Sequence, residues 1–325
     1  MTRGLVLGKF LPPHAGHLYL LEFAQNFCSE LTVVVGTLES EPIPGPLRFE
    51  WMRELCPRAQ VLHLADENPQ SPEEHPEFWA IWRGSLQRIL PQPPDLVFAS
   101  ERYGERLAHE LEARFVVVDP ARTALPVSGS AIRERPLAHF AFLPPCVRAH
   151  YALRISIFGP ESTGKSTLSA QLAEHYQTQW VPEYARAFLE HRAGDLRDED
   201  MATIARGQAC AEDALARSAN RILFCDTDPL ATQLWSDALF SQVPDVVVQA
   251  AAGRSYDLTL LLEPDVPWVA DPVRYLPEQR DGFFSACRRA LQRADRRVVT
   301  LRGNFEQRFV AARAAVDALL EEKQA

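Results

Sequence analysis

The sequence lacks an excess of positive charge, a long apolar run and a paired cysteine motif. Its 34 Lys and Arg are outnumbered by 43 Asp and Glu, which disfavours a general nucleic-acid binder because such proteins carry a basic surface. No stretch approaches the length needed to span a membrane, and the first residues do not form a signal peptide. The six cysteines form no C-x-x-C pair, which disfavours a zinc or disulfide framework and predicts a cytoplasmic protein.

With 325 residues, 46% of them hydrophobic, the chain is long enough for two domains. Paired prolines at 144 and 145 predict the end of a helix and a hinge, so we place the domains at 1–146 and 151–325. Apolar strands alternate with helices in both parts, which predicts an α/β fold with two parallel, doubly wound sheets. Ligands are then expected at the carboxyl ends of the strands.

A glycine-bounded loop between an apolar strand and a helix is the strongest motif. It reads G-P-E-S-T-G-K-S at 159–166 and matches the phosphate-binding P-loop. Gly159 and Gly164 are expected to turn the backbone so that N–H groups point at phosphate oxygens, with Lys165 reaching the β- and γ-phosphates. A chance glycine-rich turn is disfavoured, because an apolar strand precedes the loop and apolar residues with helical spacing follow it. ATP is therefore expected to contact the remaining residues of the loop and helix start: Glu161, Ser162, Thr163, Ser166 and Thr167.

Carboxylates follow two strands of the second half. Asp226 ends an apolar strand, where P-loop enzymes place the acid that orients Mg²⁺, and Ser166 is the expected hydroxyl ligand. Asp228 is expected either to cap the next helix or to meet the substrate. Glu183 is suited to accept a proton from an attacking hydroxyl or to position Mg²⁺, but a glutamate favoured by a helix N-terminus is an equally good interpretation.

A proline-rich stretch at 264–282 is long for a structureless loop. We interpret it as a lid whose Arg274 and Arg280 cover the phosphates, in preference to a surface loop with solvated arginines.

Two histidines follow the first strand of the chain. His14 and His17 lie at the start of a predicted helix, where rings three residues apart face the same side beside free N–H groups. Such a site suits a triphosphate, although ordinary capping histidines explain a bare H-x-G-H equally well. Metal binding is disfavoured because no third ligand is evident nearby. The longer string, G-K-F-L-P-P-H-A-G-H, resembles the signature of the nucleotidyltransferase superfamily, which implies that nucleotide is also bound by Gly8, Lys9 and Phe10.

A second phosphate motif precedes the end of this half. V-S-G-S-A-I-R at 127–133 offers hydroxyls from Ser128 and Ser130, backbone N–H groups and the Arg133 guanidinium. Alone it is no different from a capped helix start. It resembles the superfamily motif S-x-T-x-[IL]-R, with Ser130 where threonine is more usual.

Three shorter motifs complete the series: S-E-R-Y-G at 100–104, P-E-Y-A-R at 182–186 and D-T-D at 226–228. Taken in order with the motifs above, they resemble the NadR family over nearly the whole chain. The family comprises bifunctional nicotinamide-nucleotide adenylyltransferase / ribosylnicotinamide kinase proteins. The resemblance implies that the second domain phosphorylates nicotinamide riboside to nicotinamide mononucleotide (NMN), and that the first adenylylates NMN to NAD with release of pyrophosphate. It implies ATP as co-substrate, Mg²⁺ as cofactor, and nicotinamide riboside, NMN, ATP and NAD as small-molecule partners.

The resemblance also implies residue roles. In the kinase, Lys165, Ser166 and Asp226 hold phosphates and Mg²⁺, and either Glu183 or Asp226 is the base. In adenylyl transfer, the phosphates are positioned and stabilised by His14, His17 and Arg133, without a protein nucleophile. Trp79 and Trp82 are suited to stack a nicotinamide ring, but a core position explains them at least as well.

Three alternatives remain open at this point. The chain is another nucleotidyltransferase–kinase fusion with a different acceptor, a non-catalytic pyridine-nucleotide sensor, or a protein with one degenerate half. Some family members carry an N-terminal helix-turn-helix repressor domain, whereas this sequence begins at the first strand, so we do not carry over the repressor function. The acidic net charge predicts that the chain does not bind nucleic acid. The oligomeric state is open, and a homo-oligomer is compatible with the sequence.

Overall fold

The computed structural model describes residues 1–271, 274–275 and 278–324. Residue contacts divide the chain into two compact units, Met1–Val147 and Arg148–Ala325. Each unit contains a five-stranded sheet, and every strand pairing among the described residues of the two sheets is parallel. The predicted α/β fold with two parallel, doubly wound sheets is therefore confirmed. None of the helices in the described part of the chain has the length and apolar character needed to cross a membrane.

The first unit alternates strands and helices. Its elements are β1 (Arg3–Gly8), α1 (Ala15–Phe27), β2 (Glu30–Gly36), α2 (Gly45–Leu55), β3 (Gln60–Leu64), α3 (Phe78–Ile89), β4 (Leu96–Ala99), α4 (Tyr103–Glu110), β5 (Arg114–Val117), α5 (Gly129–Glu134) and a 3-10 helix (Phe140–Phe142). Helix α6 (Pro145–Tyr151) crosses the boundary between the units.

The first sheet has the strand order β3-β2-β1-β4-β5. Successive residues of β2 point to opposite faces, so Val33 and Val35 join the core that contains α1 and α2, whereas Val34 joins the core that contains α3 and α4. Burial on both faces explains why the strands read as continuous apolar runs. The carboxyl ends of β1 and β4, which are neighbours, lie on one edge of this sheet.

The second unit is built on the same plan. Its elements are β6 (Leu153–Phe158), α7 (Lys165–His175), β7 (Gln179–Val181), α8 (Tyr184–His191), α9 (Asp200–Ala216), β8 (Ile222–Asp226), α10 (Pro229–Phe240), α11 (Asp245–Ala252), β9 (Leu258–Leu262), α12 (Arg280–Arg293), β10 (Val298–Leu301) and α13 (Phe305–Gln324).

The second sheet has the order β10-β9-β6-β8-β7, with the strand that leads into the P-loop at its centre. Phe158 and Leu261 pack against apolar side chains of α10 and α12. Helices α7 and α13 contact each other and the sheet. The P-loop therefore stands between two strands, β8 and β9, whose carboxyl ends can supply further groups to it.

The structure differs from the predicted elements in three details. The stretch 144–150, where we expected a hinge, contains the boundary between the two units but is helical, because Pro145 occupies the first turn of α6, where the N–H that proline lacks would have no partner. The proline-rich stretch ends earlier than expected, since α12 begins at Arg280, and its positions 272, 273, 276 and 277 lie outside the described residues. A helix after Asp228 was expected, without bounds, and is α10, whereas α11 was not predicted; α10 buries Leu230, Ala231 and Ser236 on more than one side and so lacks a simple apolar stripe.

Candidate active sites

The first unit contains a cavity of about 650 Å³ at the carboxyl ends of its strands. All the nucleotide-binding and catalytic residues predicted for this half line it: Gly8, Lys9, Phe10, His14, His17, Ser128, Ser130 and Arg133. The fold thus brings together two motifs that lie more than 100 positions apart in the sequence. Ser100 and Glu101, which follow β4, also lie in the wall.

The two histidines form a stacked pair at the start of α1. His14 is the N-cap residue, and its Nδ1 accepts a hydrogen bond from the Gly16 N–H at 3.1 Å. The His14 and His17 ring centroids are 3.8 Å apart, and the Phe10 ring meets the His17 ring edge-on at 5.0 Å. His17 Nδ1 is buried and has no hydrogen-bond partner among the residues that the structure describes. A neutral ring in this position has an N–H to give to a ligand.

Both histidines are held in the neutral form. Burial, with a smaller contribution from the Arg122 guanidinium, lowers the pKa of His14 to about 4. Burial also lowers the pKa of His17 well below its ordinary value, and His14 and Arg122 add to the shift. At neutral pH the pair therefore offers hydrogen-bond donors rather than positive charge.

Positive charge comes instead from arginines around the pair. Arg133 Nη1 donates to the Leu11 carbonyl at 2.5 Å, and Gly129 allows the close approach because a Cβ there would lie 2.7 Å from the same oxygen. Ser128 caps α5 by accepting from the Ala131 N–H at 3.2 Å. These contacts join the second motif to the first and place the guanidinium at the cavity wall.

Lys9 is engaged elsewhere, since its ammonium lies 3.1 Å from a Glu41 carboxylate oxygen, although the residue lines the cavity. The far end of the cavity is aromatic. Trp79 and Trp82 line it and also pack against the core, so the core position does not exclude contact of either ring with a ligand. The Trp82 indole N–H donates to the Pro69 carbonyl at 2.8 Å, which fixes the ring. A flat apolar group is the ligand chemistry that such a wall favours.

In the second unit, the P-loop has the backbone geometry that the motif predicts. Gly159 and Gly164 have φ values of +139° and +85°, and a Cβ at Gly159 would lie 2.7 Å from the Leu262 carbonyl oxygen. Lys165 folds back over the loop, where its Nζ donates to the Pro160 carbonyl at 2.9 Å. Phosphate oxygens arriving inside the loop offer this ammonium a stronger, charged acceptor.

Asp226 and Ser166 meet beneath the loop. The Ser166 hydroxyl donates to Asp226 Oδ2 at 2.5 Å, while Asp226 Oδ1 is buried without a hydrogen-bond partner in the described part of the chain. Burial, together with the nearby Glu183 carboxylate, raises the pKa of Asp226 to about 7, and Lys165 opposes the shift. An orphaned carboxylate oxygen beside a hydroxyl fits a hard divalent cation. Residues 1–271, 274–275 and 278–324 contain no cluster of three or more His, Cys, Asp or Glu side chains able to hold a metal, so further ligands to such an ion would be phosphate oxygens and water.

Asp228 has a structural role rather than a place in the cavity. Its Oδ1 accepts from the backbone N–H groups of Leu230 and Ala231 at 2.8 and 3.3 Å, so it caps α10. Its Oδ2 accepts from the Ser156 hydroxyl at 2.9 Å and lies 3.5 Å from Arg296 Nη1. Of the two expectations for Asp228, the geometry therefore agrees with the helix cap.

A cavity of about 170 Å³ lies beside the P-loop. Its wall contains the predicted Glu161, Ser162, Thr163, Gly164, Lys165, Ser166, Thr167, Glu183 and Arg274. Glu183 occupies the N-cap position of α8 without a side-chain cap hydrogen bond and also lines the cavity, so its place agrees both with a glutamate favoured by the helix N-terminus and with a role in the site. Predicted residues outside the wall are Gly159, Asp226 and Arg280.

The predicted lid residues fold onto the P-loop. Arg274 Nη1 donates to the Ser162 hydroxyl oxygen at 3.3 Å, and Arg280 Nη2 donates to the Ser162 carbonyl at 3.2 Å. The Tyr275 N–H donates to both oxygens of the Glu161 carboxylate, at 3.2 and 3.0 Å. The two guanidiniums therefore stand at the edge of the phosphate loop.

Sequence reasoning missed three groups of residues in or behind these walls. Arg122 lines the first cavity and faces the histidines, but no motif marks it. Trp235 and Gln208 line the second cavity on helices α10 and α9, where the sequence reads as ordinary helix. Arg48 and Arg308 are fully buried behind the phosphate loops. Only the rule that ligands lie at the carboxyl ends of parallel strands pointed towards Arg122, which follows β5.

Comparisons with known proteins agree with this arrangement. Residues 154–308 match the model of a family described as an AAA domain. The trifunctional NAD biosynthesis/regulator protein NadR of Escherichia coli (strain K12) is 31% identical over 304 residues, which cover 86% of this chain and 73% of that protein. A crystal structure of NadR protein in complex with NR has a TM-score of 0.82 at 22% identity and covers 100% of this chain and 96% of that one. A crystal structure of NadR protein in complex with NAD and AMP-PNP has a TM-score of 0.80 at 23% identity, with 98% and 96% covered.

Proposed function

Because this chain belongs to the NadR family, we propose that it is a bifunctional transferase of NAD biosynthesis, a ribosylnicotinamide kinase and a nicotinamide-nucleotide adenylyltransferase. The observation that carries the proposal is the presence, in each unit, of a cavity lined by residues of a phosphate-binding motif. We assign adenylyl transfer to residues 1–146 and phosphorylation to residues 151–325.

The second unit transfers the γ-phosphoryl group of ATP to nicotinamide riboside. The 5′-hydroxyl oxygen bonds to the γ-phosphorus as the bond to the bridging oxygen breaks, which yields NMN and ADP. Lys165, Arg274 and Arg280 surround the loop and balance the charge that spreads over the phosphate oxygens. The work of this site is positioning and charge stabilisation.

Glu183 is the proposed base of the kinase. It lines the acceptor cavity and makes no cap with its own helix, whereas Asp226 lies outside the wall and is engaged by Ser166. The proton of the riboside hydroxyl passes to the Glu183 carboxylate. Ser166 and Asp226 would hold Mg²⁺, which when bound neutralises phosphate charge and orients the triphosphate.

Trp235 and Tyr275 give the acceptor cavity two aromatic walls. Trp235 is itself fixed by stacking on Phe283, with ring centroids 4.2 Å apart. The pyridinium ring of nicotinamide riboside is flat and positively charged, so it suits an aromatic wall better than a neutral base would.

The first unit transfers AMP from a second ATP to NMN. An oxygen of the NMN phosphate bonds to the α-phosphorus and pyrophosphate leaves, so no protein nucleophile takes part. The neutral His14 and His17 donate hydrogen bonds to the triphosphate, while Arg133 and Arg122 supply positive charge. The aromatic end of the cavity, at Trp79 and Trp82, receives the nicotinamide ring.

The cytoplasm is the proposed location. All six cysteines are free thiols in the structure, as is usual for proteins of a reducing compartment. Cell fractionation followed by immunoblotting tests the assignment.

Product analysis tests the proposed function. Purified protein is incubated with nicotinamide riboside, ATP and Mg²⁺, and NMN and NAD are followed by chromatography. We expect the wild type to form NAD, Lys165→Ala to leave riboside unchanged yet convert added NMN, and His17→Ala to stop at NMN. Lys323→Ala and His109→Ala, which change an exposed lysine and an exposed histidine, are the matched controls.

Two results would contradict the proposal. A wild-type protein that binds ATP but turns over neither riboside nor NMN would favour a pyridine-nucleotide sensor. Turnover of a different acceptor, detected with labelled ATP, would favour another nucleotidyltransferase–kinase fusion.

A further inference from the structure

Each unit buries one arginine completely behind its phosphate-binding loop. Arg48 in α2 is 0% exposed and Arg308 in α13 is 1% exposed. Burying a guanidinium costs free energy unless its donors and its charge are satisfied. Neither side chain lines a cavity described above, so neither is explained by ligand contact.

Arg308 gathers backbone carbonyls from three segments around the P-loop. Its Nε donates to the Gly303 carbonyl at 2.9 Å and its Nη2 to the Glu263 carbonyl at 2.8 Å. Its Nη1 donates to the carbonyl of Thr163, which is inside the P-loop, and the Asp265 carboxylate balances the charge. One side chain therefore ties the P-loop to the end of β9 and to the turn before α13.

Arg48 makes the equivalent contacts in the first unit. Its Nη1 donates to the Lys9 carbonyl at 2.6 Å, and Lys9 lies inside the first phosphate motif. Its Nε donates to the Ile43 carbonyl at 3.0 Å, and its Nη2 pairs with the Glu41 carboxylate. The same carboxylate lies 3.1 Å from Lys9 Nζ, so both ends of Lys9 are held.

A loop that binds an anion through its N–H groups turns its carbonyls the other way, into the protein. Outside a helix or sheet those carbonyls need other donors. A guanidinium, with five donors in a fixed plane, satisfies several carbonyls at once, which a lysine cannot do in the same geometry.

We propose that Arg48 and Arg308 are positioning residues for the two transfer reactions, each of which holds its loop in the phosphate-binding conformation. The inference rests on the proposed function, because it assumes that both loops bind nucleoside triphosphates. Each arginine should then govern ATP binding in its own reaction and leave the other reaction unchanged.

The test uses the two activities of one polypeptide as reciprocal controls. KM for ATP and kcat are measured for both reactions in Arg308→Met, Arg308→Lys, Arg48→Met and Arg48→Lys. We expect Arg308→Met to raise the KM for ATP about tenfold or more in riboside phosphorylation, with adenylyl transfer unchanged, and Arg48→Met to do the reverse. The KM for ATP of the lysine variants should fall between those of the wild type and the methionine variants, because lysine keeps the positive charge but lacks the planar set of five N–H donors.

Exposed arginines on the same helices are the matched controls. Arg313 on α13 and Arg53 on α2 have side chains 47% and 59% exposed. Arg313→Met and Arg53→Met should leave both KM values for ATP unchanged.

Several results would overturn the proposal. A merely structural arginine would, when replaced, reduce the active fraction and hence the apparent kcat, with the KM for ATP unchanged. Parallel loss of both activities in one variant would also contradict it. If a methionine variant does not fold, a wild-type KM for ATP in the lysine variant decides against the proposal. Should the wild-type protein transfer neither group, the proposed function fails, and the arginines are then tested by calorimetric titration with ATP, where unchanged affinity in the variants refutes their role.

Discussion

The pKa of His14 predicts a pH dependence that can be measured directly. The pH is lowered from 7 to 4, and the resulting loss of stability is compared between the wild type and His14→Asn. Asparagine is a good N-cap, so the substitution keeps the cap of α1 while it removes the titrating ring. His14 is 6% exposed, which makes solvent screening of its environment small.

The magnitude follows from the difference between folded and unfolded states. An unfolded histidine titrates near its ordinary pKa of 6.5, whereas burial and Arg122 lower the pKa of His14 to about 4 in the folded protein. Below pH 6.5 the unfolded chain therefore binds a proton that the folded chain does not. The free energy of unfolding falls as the pH drops from 6.5 to 4, by about 3 kcal/mol in total, and changes no further below that.

Two assays check this reasoning. In an NMR titration of the imidazole resonances, one signal should titrate near pH 4 and be missing from His14→Asn. In urea denaturation, the loss of stability between pH 7 and pH 4 should be smaller in His14→Asn by about 3 kcal/mol. A His14 signal that titrates near 6.5, or an equal loss of stability in both proteins, would refute the claim that burial lowers the pKa of His14.

Glu183→Gln should lower the kcat of riboside phosphorylation by about a hundredfold or more, because the variant lacks the general base. Asp226→Asn should instead raise the Mg²⁺ concentration needed for half-maximal rate. Equal Mg²⁺ dependence in the two variants would contradict this division of roles. Asp228→Ala should destabilise the protein by about 2 kcal/mol, because a helix cap and the bond from Ser156 are lost, and thermal denaturation measures it. An unchanged melting temperature would count against the cap. Gly164→Ala should weaken ATP binding in calorimetry, because φ is +85° there, and wild-type affinity would show that the loop tolerates a side chain.

The sequence predicted the parts of the two sites that are local in the chain. Residues 153–166 combine a strand, two turning glycines and a helix start within one short stretch, so their geometry hardly depends on the rest of the fold. The same is true of His14, whose cap contact reaches only to Gly16. Each of these segments carries its own conformational signal, and the structure has the strand and helix boundaries close to the expected places.

The residues that the sequence did not predict depend on contacts far along the chain. Arg308 reaches Thr163 across 145 positions, and in the sequence it is one more arginine on an exposed-looking helix. Arg122 belongs to the first site only because the loop after β5 returns to the histidines. Trp235 lines the acceptor cavity from a helix with no simple apolar stripe. Burial and long-range proximity decide these roles, and neither can be read from local pattern.

The strand order also affects the order in which the two units can fold during synthesis on the ribosome. All five strands of the first sheet have been synthesised by Val117, whereas the central strand of the second sheet, β6, needs β9, and its loop needs Arg308 from the last helix. We expect the first unit to fold while the second unit is still incomplete. A ribosome stalled before β8 would then carry one formed unit and an unpaired apolar strand, the kind of segment that chaperones bind.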